Sequence, residues 1–240
     1  MTRRWIAGAM ASALFIMLLA YYVPKIVTTE ESSHSWSLPL AGKTIVIDPG
    51  HGGVDGGAEG ADGTQEAGIT LAVSKMLRDY LQQAGALVYL TREDDADLAD
   101  EDTKGLSNRK SEDIRNRVAF IEEKEADFYI SIHTNALLST RWSGAQTFYN
   151  ENREGSKALA TFIQDEIKRN LENTKRVPLA LNTMYLLKHA EPTGALVEIG
   201  FMSNPQELEL LKDTSYQDRM AFSIYEGILR YTTEKIPEDE

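Results

Sequence analysis

Three short apolar runs, spaced by two segments of helical periodicity, constrain this chain more than any other feature. Lys43 to Asp48 (KTIVID), Ala86 to Thr91 (ALVYLT) and Asp127 to His133 (DFYISIH) are continuous and rich in β-branched or aromatic residues, as buried strands are. From Glu66, the apolar positions Ile69, Val73, Met76, Leu77, Tyr80 and Leu81 recur at helical spacing, and Gly85 stops the helix. Ser107 to Lys124 is a charged amphipathic helix with Ile114, Val118 and Ile121 on one face. The order β-α-β-α-β predicts parallel strands joined by crossover helices, and 240 residues suffice for one α/β domain with a sizeable core. Beyond it, Gly144 to Tyr149 is expected to be a strand and Gly155 to Leu171 a helix. Met184 to Lys188 and Ala195 to Ile199 read as short strands separated by a Glu-Pro-Thr-Gly turn. Asn204-Pro205 opens a helix through Leu211, and Thr214 to Tyr231 forms the last one. There is no internal repeat.

That topology brings distant residues together. Ligands bind beyond the carboxyl ends of parallel strands. His51 follows the first strand and His133 ends the third, so both belong on one rim. Glu66 opens the first crossover helix, which starts at the same rim. The glycines from Gly50 to Gly57 let the intervening loop approach a ligand closely. Any one of these residues alone reads as structural: a histidine at a strand end, a glutamate complementing a helix dipole. Together they are the parts of a zinc site. There are no cysteines, so a transition metal must rely on His and carboxylate. Glu198 sits inside the apolar run Ala195 to Phe201 (ALVEIGF). A buried unpaired carboxylate is costly. Service as a general base beside the metal answers that cost; a structural ion pair with Arg92 or Lys188 is the alternative. Candidates to orient the ligands are Asp48, Asp55 and Asn135.

The net charge of −12 argues against a nucleic-acid partner, which demands a basic stripe. Much of the acidity falls in Glu93 to Asp102, expected to be a solvated loop, since it lacks the Gly-punctuated spacing of a calcium site. At the other extreme, Trp5 to Pro24 carries no charge and follows Arg3 and Arg4. It matches the roughly 20 residues of a membrane-crossing helix, with an orientation that exports the rest of the chain. A cleaved signal peptide is the alternative, but the bulky Leu19 to Val23 suits signal peptidase poorly. The expected organisation is an anchor or signal over 1–27, a polar tether over 28–41, a catalytic domain over 42–233 and an acidic tail over 234–240.

Four segments in order, Asp48-Pro49-Gly50-His51-Gly52-Gly53, Glu66, Ser131 to Ala136 (SIHTNA) and Glu198 to Asn204 (EIGFMSN), resemble those of the zinc-dependent N-acetylmuramoyl-L-alanine amidases. The resemblance covers roughly residues 43 to 231. It implies a central, mostly parallel six-stranded sheet flanked by helices, with His51, Glu66 and His133 as zinc ligands and Glu198 as the catalytic glutamate. It also implies a peptidoglycan substrate, cleaved at the amide between the lactyl group of N-acetylmuramic acid and L-alanine. Two positions depart from the family pattern: Ala67, where Lys is common, and Thr134. Asn135 to Gly144 is too short to hold the inhibitory helical insertion known in the family. A hydrophobic N-terminus before a bare catalytic domain looks most like the spore-cortex amidases, whose action prepares muramic acid for δ-lactam formation. A zinc carboxypeptidase or deacetylase of the same polymer, or a non-catalytic wall-binding module, are the competing readings. An activating protein partner is compatible with a site of only two His and one Glu.

Overall fold

The computed structural model describes residues 13–21 and 38–234. They fall in two compact units, divided after Ser37. In the first, residues 13–21 are helical (α1) and exposed throughout. Residues 28–37 of the expected tether, the ends of the expected anchor and residues 235–240 of the acidic tail lie outside the described residues; residues 38–41 of the tether belong to the second unit, where Leu40 is fully buried. Among the described residues, no helix is long and apolar enough to cross a membrane.

The second unit is built on a six-stranded sheet in the order β2-β1-β3-β6-β4-β5. Its strands are β1 (Thr44–Pro49), β2 (Leu87–Leu90), β3 (Phe128–Asn135), β4 (Gln146–Tyr149), β5 (Leu179–Ala180) and β6 (Thr193–Phe201). All pairings are parallel except that of β4 with β6. The helices are α2 (Glu66–Gln83), α3 (Leu106–Glu123), α4 (Ser156–Leu171), α5 (Tyr185–His189), α6 (Pro205–Lys212) and α7 (Thr214–Thr233). The expected α/β architecture, a mostly parallel six-stranded sheet with helices on both sides, is the one found.

Strand side chains alternate between faces. Ile45, Ile47, Ile130, Ile132, Val197 and Ile199 point to one face, where α2, α4 and α7 supply Val73, Leu77, Ile163 and Ile224. Each such fully buried aliphatic side chain contributes about 1.5–3 kcal/mol relative to exposure. Val46, Tyr129 and Leu196 point to the other face, under Val118 and Ile121 of α3 and Leu186 and Leu187 of α5. Asp48, Ser131, His133 and Glu198 share the parity of this second face. Polar groups therefore gather where the α3 face of the sheet meets its carboxyl rim.

One expected element is corrected. Residues 184–188 do not form a strand; Tyr185–His189 is the short helix α5. Only Leu186 and Leu187 are buried there, and so short an apolar run cannot distinguish the two states by pattern. The sixth strand is instead β5, two exposed residues beside β4. At α6 the expected start holds: Pro205 occupies the first turn and the Asn204 side chain accepts hydrogen bonds from the amides of Gln206 and Glu207.

Candidate metal centre

The rim is assembled around a buried ion pair. Asp48, at the end of β1, is 1% exposed. Its carboxylate accepts hydrogen bonds from Arg117 Nη1 (2.8 Å), Ser131 Oγ (2.7 Å) and Thr91 Oγ1 (2.7 Å). Burial alone raises its pKa, but the charges of Arg117 and His133 and the two hydroxyls outweigh it and bring the value down to about 2. Arg117 also donates to Asp113 Oδ2 and to the carbonyls of Pro49 and His51. Arg92 donates to the carbonyls of Pro49, Gly50 and Ala67. Two guanidiniums thus clamp the backbone that leaves β1. The clamp holds His51 at φ 61°, a left-handed conformation that costs a non-glycine residue about 1–2 kcal/mol.

Three side chains converge above this clamp. His51 Nε2 lies 3.2 Å from Glu66 Oε2, and His133 Nδ1 lies 3.1 Å from Glu66 Oε1. One ligand atom from each of the three falls within 4.8 Å of the others. Glu66 is 2% exposed, and backbone amides fix both of its oxygens: Ala58 N to Oε2 and Thr134 N to Oε1, each at 2.8 Å. Thr134 thus serves the site through its main chain. His51 Nδ1 is 2.9 Å from Asp55 Oδ2, whose other oxygen meets Lys110 Nζ at 2.7 Å. A neutral His51 that donates Nδ1–H to Asp55 turns the lone pair of Nε2 toward a carboxylate. Two electron-rich groups facing each other call for a cation between them, and an N, O, N donor set fits zinc. With no metal, a proton fills that role: burial lowers the pKa of His51, but Glu66 and then Asp55 raise it to about 9. Two glycines make room for the cluster. A Cβ on Gly50 would stand 2.4 Å from the His133 ring, and one on Gly57 2.6 Å from Glu66 Oε2.

Glu198 is the register partner of His133 on the adjacent parallel strand, so the two side chains leave the same face as neighbours. Its Oε2 is buried and, among the described residues, has no hydrogen-bond partner. Burial pushes its pKa up to about 7; His133 opposes the shift and Glu66 adds to it. The ion-pair alternative fails for Arg92, whose guanidinium is spent on carbonyls, and Lys188 lies in the last turn of α5. Of the three candidate orienting groups, Asp55 touches a histidine, Asp48 acts through Arg117, and Asn135 offers its carbonyl to Met202 N. The acidic loop is only partly solvated. Asp95 accepts from Gly53 N, and Asp97 pairs with Arg109, so the loop braces the glycine-rich segment. Arg117 and Lys110 carry roles not expected from the sequence, and Arg92, expected only as a partner for Glu198, binds backbone carbonyls instead. Arg117 left one signal: it stands on the apolar stripe of α3, between Ile114 and Ile121.

The sequence pattern that defines a family described as N-acetylmuramoyl-L-alanine amidase matches residues 45–230. The chain is 49% identical over 232 residues to the germination-specific N-acetylmuramoyl-L-alanine amidase of Bacillus subtilis (strain 168), covering 97% of this chain and 96% of that protein. The CwlD amidase from Clostridioides difficile, solved in complex with the GerS lipoprotein, shares the fold with a TM-score of 0.77 at 41% identity, covering 79% of this chain and 98% of that one. The catalytic domain of CwlV, an N-acetylmuramoyl-L-alanine amidase from Bacillus (Paenibacillus) polymyxa var. colistinus, gives a TM-score of 0.69 at 30% identity, covering 80% and 99% respectively. The chain belongs to the N-acetylmuramoyl-L-alanine amidase family.

Proposed function

We propose that this chain is a zinc-dependent peptidoglycan amidase that hydrolyses the amide between the lactyl group of N-acetylmuramic acid and L-alanine. The observation that carries this reading is the unpartnered Oε2 of Glu198 beside the His51–Glu66–His133 group. His51, Glu66 and His133 hold the metal, and Asp55 fixes the tautomer and ring orientation of His51. Zinc bound there supplies a Lewis acid for the amide carbonyl and lowers the pKa of a water to about 7. Glu198, as carboxylate, accepts a proton from the attacking water and returns it to the departing amine of L-alanine. Its desolvation keeps it basic enough for the first transfer and acidic enough for the second.

The high identity to a germination-specific relative supports action in the spore cortex, where peptide removal precedes muramic δ-lactam formation. Residues 1–27 then anchor the protein to the membrane, 28–41 tether it, 42–233 form the extracytoplasmic catalytic domain and 234–240 an acidic tail. The relative solved with a lipoprotein supports a protein partner here too.

Digestion of purified wall by the full chain, with and without chelator, tests the activity. Mass analysis is expected to show free muramoyl lactyl carboxylates and intact stem peptides, lost on chelation. Release of D-alanine or acetate instead identifies a carboxypeptidase or a deacetylase. Asp55→Ala is expected to weaken zinc binding about 10–100-fold in a competition titration, with the fold unchanged by circular dichroism. Unaltered affinity removes Asp55 from the site.

A further inference from the structure

Beside the converging histidines lies a cleft of about 230 Å³. His51 and His133 line it, Ile114 of α3 and Tyr185 of α5 help wall it, and two cations reach it, Lys110 and Arg117. The cations differ in what they have left to give. Arg117 has a 2% exposed side chain and is engaged by Asp48, Asp113 and two carbonyls. The Lys110 side chain is 46% exposed, and among the described residues its ammonium meets only Asp55, at 2.7 Å. An ammonium has three N–H donors, so two remain for a ligand. The protein as a whole carries −12, so an anionic group gains little from its general field and must find a local cation.

We propose that Lys110 is a specificity-determining residue that receives the free carboxylate of the stem peptide one residue beyond the L-alanine of the scissile amide. The inference rests on the amidase reading and deepens it. The relay from His51 through Asp55 to Lys110 is two hydrogen bonds long, 2.9 Å and 2.7 Å, apart from the intervening carboxylate. A peptide advances about 3.3–3.6 Å per residue. Lys110 lines the same cleft as His51 and His133, so a peptide that leaves the histidines along it, between the Ile114 and Tyr185 walls that suit an uncharged backbone and aliphatic stem, brings its next residue toward the ammonium.

Lys110 also neutralises Asp55, so its replacement acts on the metal centre as well. A cycle that changes the enzyme and the substrate charge together separates the two effects, because both substrates meet the same metal centre. The substrates are muramoyl peptides that differ only in that carboxylate, free or amidated. The full-length wild type is expected to favour the free acid about tenfold in kcat/KM, mainly through KM, as befits one charge-assisted hydrogen bond. Lys110→Met is expected to bring the ratio to about one, and Lys110→Arg to retain a preference for the acid. Calorimetric titration of the two released peptides into wild type and Lys110→Met provides the same ratio without turnover. An equal ratio in the wild type, or one that Lys110→Met leaves unchanged, overturns the inference while amide cleavage stands. A wild type that cleaves neither substrate overturns the amidase reading, and this inference with it.

Discussion

Glu198→Gln is expected to lower kcat about 10³-fold, the scale of general acid–base catalysis, at unchanged zinc affinity. The substitution keeps shape and removes only the ability to take up a proton. Its second effect has the opposite sign. In the metal-free protein the folded pKa of Glu198 stands at about 7, above the ordinary 4.5. The charged form is thus penalised by folding, and the penalty grows as pH rises from 4.5 through 7 and is absent below 4.5. Glu198→Gln is therefore expected to stabilise the metal-free protein by about 1–3 kcal/mol above pH 7, with the gain vanishing in acid. A carboxylate retained for structure would show the reverse. In the wild type, activity must rise with pH as Glu198 ionises, with the rising limb at or below pH 7. Urea denaturation at pH 8 and at pH 4, beside a pH–rate profile, checks the pair of effects.

The other large effect lies beneath the site. Arg117→Met leaves Asp48 as a buried charge with the hydroxyls of Ser131 and Thr91 as its remaining donors among the described residues, and such losses cost about 3–5 kcal/mol. For a domain of this size that corresponds to a fall in Tm of about 10 °C. Activity should fall with it, because Arg117 also holds the carbonyls of Pro49 and His51. The depressed pKa of Asp48 contributes about 2 kcal/mol to folding. That contribution is complete above the ordinary 3.8 and is lost as pH falls toward about 2, so the wild type should weaken there and the variant much less. The double replacement Asp48→Leu with Arg117→Met should be less destabilised than Arg117→Met alone, since no buried charge is then orphaned. Thermal denaturation of the three variants measures this directly.

The sequence displays those parts of the site that topology alone brings together. His51 and His133 end strands that must be parallel, and Glu66 begins the crossover between the first two, so one rim holds all three. Glu198 is conspicuous because its neighbours Val197 and Ile199 are apolar. What escapes a reading of the sequence depends on distance or brevity. Arg117 and Asp48 are 69 residues apart, and the place of Arg117 on the apolar stripe of α3 marks it as inward-facing without saying which carboxylate it meets. The direction of β4, antiparallel to β6, is set by sheet neighbours rather than by its four residues. β5 is too short to show alternation, and Leu186-Leu187 bury equally well from a strand or a helical turn.

His51, Glu66 and His133 are proposed to hold one zinc ion. Anomalous diffraction from zinc-soaked crystals, recorded on either side of the zinc absorption edge, addresses it directly. A single edge-dependent peak among His51 Nε2, Glu66 and His133 Nδ1, lost in His133→Ala, is the expected result. A peak elsewhere, or one at this position that survives loss of His133, would contradict it.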